Sequence, residues 1–246
     1  MHTTKEPLVL LLPSMIDVLE VSYRSQIPFL KQHGFNPVLI EYPAKGFSIE
    51  LLKEQIKNIV YSQHLKNNKV YLIGISFGAT VIIDILANDA SLAKQIDKVI
   101  LFGAVFSYDD IGRKSRLGAK AFKTADKFVG KIFQSTFPIG RRFVKFSFDP
   151  KEQKTNKVSK DFDLSPLPDR LRYFFSRPRV ESLPKINNVE ALFLWWDKDI
   201  CLTQRREVIS SVFKNHKTGK ISGIHGWMTT PAQAINSEIL SFLLKN

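Results

Sequence analysis

Largely apolar runs alternate along this chain with longer stretches in which apolar residues recur every three or four positions. Leu8 to Leu12, Pro37 to Glu41, Val70 to Ile73, Ile96 to Phe106 and Ala191 to Trp196 are the runs, rich in leucine, β-branched and aromatic residues. Runs of this kind, without alternating polar positions, predict strands buried on both faces. Between them lie helical patterns. Glu20 to His33 places Val21, Ile27 and Leu30 on one face and stops at Gly34. Ser48 stands as the N-cap of an amphipathic helix reaching about His64. Ala79, Val81, Ile82, Ile85, Leu86 and Ala87 recur at helical spacing after the third run, and the chain closes with a short strand near Lys220 to Ile224 and a helix from about Pro231 to Leu244. The order βαβαβαβ predicts an α/β fold, with a parallel sheet covered by helices on both faces.

One segment breaks the rhythm. From about Tyr108 to Val180 the spacing is too long for a plain crossover, so residues 1–107 and 181–246 are expected to form the core and 108–180 an insertion into it, which the family resemblance given below implies is a helical lid. Between Tyr108 and Lys160 there are 14 Lys and Arg against 5 Asp and Glu, a net +9 of the chain's +13. Leu117, Ala121, Ala125, Phe128 and Ile132 share one helical face, while Lys120, Lys123, Lys127 and Lys131 lie on another. A basic amphipathic helix of this kind suits an anionic membrane surface. Its bland counterpart is a charged, solvated face over an ordinary core contact. Nucleic acid is a poorer fit as a partner, because the segment matches no RNA- or DNA-binding motif.

Composition narrows the remaining choices. With 246 residues, 44% of them hydrophobic, the chain is long enough to bury one full core. A single cysteine, Cys201, excludes an intramolecular disulfide and suits a reducing, cytoplasmic setting. The run Leu8 to Leu12 is too short to span a membrane and lacks the features of a signal peptide. No Cys/His or carboxylate cluster suggests a metal, and no G-x-G-x-x-G suggests a dinucleotide, so no cofactor is expected.

The candidate chemistry sits at the end of the third run. Gly74-Ile75-Ser76-Phe77-Gly78 fits G-x-S-x-G, a strand-to-helix turn that raises a serine hydroxyl clear of the sheet. Such a turn needs glycines where two backbone segments nearly touch. The N–H of Phe77, at the helix start, is then placed to stabilise an oxyanion. A neutral serine hydroxyl is a poor nucleophile and needs a base, which directs attention to histidine and a supporting carboxylate.

With these features the chain resembles the α/β-hydrolase superfamily. The resemblance covers nearly everything outside the 108–180 segment and implies a three-layer αβα fold with a mostly parallel sheet, trimmed of the N-terminal strands common in the superfamily. It implies a triad in the chain order Ser76, Asp199, His225. Asp199 follows the Ala191 to Trp196 strand, where Trp196 and Thr203 replace the glycine and proline of the superfamily's G-x-x-D-x-x-x-P. His225 falls just past the last strand and before the closing helix. Asp197 is a rival acid, and Asp109 and Asp110 are more remote ones. By position Met15 is the second oxyanion donor, although the usual His-Gly pair is absent from Pro13-Ser14-Met15-Ile16-Asp17. His2, His33, His64 and His216 read as solvated surface, and Cys201 as a core-edge residue.

A serine nucleophile in place of an aspartate argues against the dehalogenases and epoxide hydrolases of this fold. The resemblance therefore implies hydrolysis of a small carboxylic ester or thioester, with an acyl- or lipid-like substrate, through an acyl-enzyme. Two other readings use the same residues. One is a cofactor-free carbon–carbon bond hydrolase, and the other is a protein that binds anionic membranes, with hydrolysis secondary. Oligomeric state is not encoded in any of these patterns.

Overall fold

The computed structural model describes residues 6–15, 23–43, 46–64, 68–106, 167–199, 206–223 and 232–245. The basic helix expected over Leu117 to Phe133, with its four lysines, lies outside these residues, as do His225, Cys201, Asp109 and Asp110.

Six strands form one sheet: β1 (Leu8–Leu12), β2 (Asn36–Leu39), β3 (Val70–Ile75), β4 (Lys98–Phe102), β5 (Ile186–Trp196) and β6 (Phe213–Ile221). The spatial order is β2-β1-β3-β4-β5-β6, and every neighbouring pair is parallel. Helices α1 (Gln26–Gln32), α2 (Ile49–His64), α3 (Phe77–Asn88), α4 (Ala90–Ala93), α5 (Leu167–Ser176), α6 (Ile209–Val212) and α7 (Ala232–Leu244) complete the elements discussed here.

Because successive side chains of a strand point to opposite faces, β1 feeds two cores. Leu8, Leu10 and Leu12 pack with Ile56 and Val60 of α2 and with Val81, Ile82 and Ile85 of α3. Val9 and Leu11 pack on the other face with Leu30 of α1 and Ile235, Ile239 and Phe242 of α7. The result is three layers, helix on sheet on helix. Helix α3 is buried around its whole circumference from Phe77 to Ala87, which fits its near-continuous apolar sequence. Lys98, at the start of β4, donates to the Phe242 carbonyl at 3.0 Å and to that of Lys245 at the end of α7. A cation there opposes the negative end of the helix dipole.

Several boundaries differ from the sequence pattern. Helix α1 begins at Gln26, not Glu20, so Pro28 sits in its first turn, where no intrahelical N–H is required. Strand β4 ends at Phe102 because Gly103 turns the chain at φ 53°. Beyond it, Val105 leaves the sheet and exchanges hydrogen bonds with the Thr80 hydroxyl, its N–H at 3.2 Å and its carbonyl at 3.0 Å. Strand β5 starts at Ile186, five residues earlier than its apolar run. Strand β6 covers Phe213–Ile221 in place of the short strand near Lys220 to Ile224, and His216 falls within it, half-buried.

Candidate active site

In an open parallel sheet, ligands bind beyond the carboxyl ends of the strands, where the connections part to opposite sides. Here that point lies between β1 and β3: the chain leaves β1 for β2 on one flank, then returns to form β3 on the other. Leu12 is in register with Gly74. The loop after β1 and the turn after β3 therefore emerge side by side, bringing Met15 and Ser76 to the same edge.

Ser76 is the sole non-glycine residue with positive φ among the described residues, at φ 52° and ψ −112°. Such a conformation costs on the order of 1–3 kcal/mol and persists only where the surroundings enforce it. Its N–H donates to the Phe102 carbonyl at 2.7 Å, the last bond before the turn, and its own carbonyl accepts from Thr80 N–H at 3.1 Å, the first bond of α3. Ser76 is thus fixed from both sides. The N–H of Phe77 belongs to the first turn of α3, whose amides have no intrahelical acceptor.

The flanking glycines are required by contact distance. A Cβ on Gly74 would come within 2.6 Å of Ala79 N, and one on Gly78 within 2.2 Å of the Leu12 carbonyl oxygen and 2.5 Å of that of Pro13. The collisions are with backbone and cannot be relieved by a rotamer change. Gly78→Ala is accordingly expected to destabilise the protein by about 3 kcal/mol, the upper end of ordinary overpacking costs, read as a lower midpoint in urea unfolding.

The aromatic residues around Phe77 hold the turn from outside. Tyr42, Phe47 and Tyr173 surround its ring with centroids 5.7, 5.3 and 5.9 Å away, the Tyr42 and Tyr173 rings nearly perpendicular to it. Edge-to-face arrangements of this kind are favoured by the ring quadrupoles. Deeper, Asp84 of α3 meets residues from and just beyond α5. Arg177 Nε and Nη2 take its two carboxylate oxygens at 2.7 and 2.5 Å, and the Tyr173 hydroxyl donates to it at 2.5 Å. Arg177 Nη1 donates to the carbonyls of Val105 and Phe106 at 3.0 and 2.9 Å. Burial, followed by the Asp84 charge, raises the Tyr173 phenol far above its usual range, so it stays a donor.

The two candidate acids have different surroundings. The exposed Asp197 continues the β5–β6 ladder through its N–H to Ile221, and its Oδ1 accepts the N–H of Gly223 at 2.8 Å. That hydrogen bond holds its carboxyl below the usual carboxylate range. Asp199 lies beyond the ladder at the same carboxyl edge and is half-buried. The chain leaves β6 at that edge too, immediately before the stretch containing His225, so the described elements converge on one rim. Among the described residues, no group of three or more His, Cys, Asp or Glu is placed to hold a metal ion, and no helix is long and apolar enough to cross a membrane.

Sequence reasoning did not single out Arg170, Tyr173 or Arg177. The three recur at helical spacing beside an apolar face that includes Phe174 and Phe175, but two arginines and a tyrosine carry no mark in the sequence of the buried partners they hold.

No protein-family model and no curated protein sequence matches the chain. Solved structures do. A bromoperoxidase from Bacillus anthracis superposes with a TM-score of 0.69 at 18% identity, over 98% of this chain and 93% of that one. A monoacylglycerol lipase from Paleococcus ferrophilus gives 0.68 at 14% identity, over 97% and 95%. An enol-lactonase from Burkholderia xenovorans gives 0.65 at 15% identity, over 100% and 94%. The parallel sheet, the serine turn after β3 and these superpositions establish the α/β-hydrolase fold.

Proposed function

We propose that the protein is a serine hydrolase that cleaves a carboxylic ester or thioester through an acyl-enzyme on Ser76. The observation that carries this reading is the backbone of Ser76: a non-glycine residue held at φ 52° between two glycines that admit no Cβ. A protein retains such strain where the side chain must project from a fixed place. The lipase and lactonase among the similar structures support an ester substrate.

In this scheme the Ser76 Oγ adds to the substrate carbonyl carbon as His225 accepts its proton. The carbonyl electron pair moves onto oxygen, stabilised by the N–H groups of Phe77 and Met15. The alcohol or thiol departs with the proton from His225, and water repeats the sequence to release the acid. Asp199 fixes the imidazole tautomer and stabilises its cationic form. A fluorophosphonate probe is expected to label wild-type protein covalently, and Ser76→Ala to abolish both labelling and turnover of esters and acyl thioesters. Labelling that persists in Ser76→Ala would remove Ser76 from this role.

A further inference from the structure

The loop after β1 has three successive anchors, each a side chain from a different part of the chain. The Tyr23 hydroxyl donates to the Leu12 carbonyl at 2.8 Å, and the Tyr42 hydroxyl to that of Pro13 at 3.0 Å. Arg170 Nη1, from α5, donates to the carbonyl of Met15 at 2.7 Å. Arg170 is only 5% exposed, and its guanidinium lies over the Tyr42 ring, 5.0 Å from the centroid. The last two anchors therefore support each other through a cation–π contact. From below, Gly78 of α3 is pressed against the Leu12 and Pro13 carbonyls.

The positions of the anchored carbonyls matter. The Pro13 carbonyl belongs to the Pro13–Ser14 peptide and the Met15 carbonyl to the Met15–Ile16 peptide. Peptides are planar units, so fixing these two fixes the planes on either side of the Ser14–Met15 amide. That amide carries the Met15 N–H. We propose that Arg170 is a positioning residue of the hydrolytic site: by holding the Met15 carbonyl against the Tyr42 clamp, it aims the Met15 N–H at the oxyanion formed over Ser76. This inference rests on the serine-hydrolase reading above. Arg170 touches neither substrate nor Ser76 in this role. It acts through the backbone it holds, and the charge on the guanidinium strengthens that hydrogen bond relative to a neutral donor.

The discriminating property is selectivity for the transition state. An oxyanion donor that drifts out of line weakens binding of the tetrahedral species while leaving ground-state binding nearly intact. Arg170→Ala is expected to lower kcat about 10²-fold, the scale of losing one oxyanion donor, with little change in KM. Affinity for a trifluoromethyl ketone, which forms a tetrahedral adduct with the serine, should fall by the same factor as kcat/KM. Added guanidinium chloride, at concentrations well below those that unfold the variant, should restore part of kcat without raising Tm, while sodium chloride at equal ionic strength should not. Arg170→Lys, which retains a cationic donor, should lie between Arg170→Ala and wild type.

If Arg170→Ala is as active as wild type, or if kcat loss comes with an unchanged trifluoromethyl ketone affinity, the positioning role is wrong. If Arg170→Ala does not fold, the same comparison on Arg170→Gln, which keeps a shorter neutral donor, decides it by the same two criteria. Fluorophosphonate labelling of wild-type Ser76 is the control for the underlying reading. Its failure overturns that reading and this inference together, whereas intact labelling with an indifferent Arg170 overturns this inference alone.

Discussion

With Asp199 as the acid of the proposed mechanism, Asp199→Asn is expected to lower kcat by about 10⁴-fold, on the scale known for a triad Asp→Asn change, while Asp197→Asn is mild. The difference follows from what each carboxylate already does. Asp197 accepts the Gly223 N–H at the exit of β6, a task that the amide oxygen of an asparagine also performs. Asp199 sits two residues further on, past the ladder and half-buried at the carboxyl edge of the sheet. An asparagine there cannot stabilise an imidazolium, and its NH2 group favours the wrong imidazole tautomer. Steady-state kinetics of both variants on an ester turned over by the wild type, with melting temperatures as a folding control, make the comparison. The reverse ranking would move the acid to Asp197.

Arg177→Met is expected to lower folding stability by about 3–5 kcal/mol, the cost of leaving one member of a buried ion pair alone. The Asp84 and Arg177 side chains are 7% and 3% exposed, and Arg177 also satisfies the carbonyls of Val105 and Phe106. Removing the guanidinium leaves the buried Asp84 charge with the Tyr173 hydroxyl but without its cation, and takes a donor from the Phe106 carbonyl, while the Val105 carbonyl keeps the Thr80 hydroxyl. The double variant Asp84→Leu with Arg177→Met removes the stranded carboxylate and should recover part of the loss. Chemical denaturation of the two single variants and the double variant measures the coupling. A loss of under about 1 kcal/mol for Arg177→Met would match an exposed pair and contradict the packing described here.

The parts of this fold that could be read from sequence are those where burial is continuous. β1, β3 and the serine turn announce themselves because both faces of the strand are covered and the glycines have a contact reason to be there. β6 was nearly invisible. Among its nine residues only Phe213 and Ile221 are buried, so neither alternation nor an apolar run survives, and the strand is specified by pairing with β5. The early part of β5 was missed for a related reason, since Asn187 and Asn188 are exposed. At the candidate site, the strained serine turn was legible from its glycine spacing, whereas the contacts of Arg170 and Tyr42 with the loop after β1 were not. Their role depends on carbonyls that are distant or unmarked in the chain, and a donor to backbone has no sequence signature.

The two outer strands of the sheet bear on how copies of this protein meet in solution. An outer strand presents unpaired amides that can recruit a strand from another molecule. β6 carries Lys214, Lys217 and Lys220 along its length, so two copies brought together there would oppose like charges and bury ammonium groups. On the opposite flank, β2 is only four residues long and contains Pro37, which has no N–H to offer a partner. Both flanks thus discourage continuation of the sheet from one molecule into the next. Among the described residues, strand addition is therefore disfavoured at either end of the sheet.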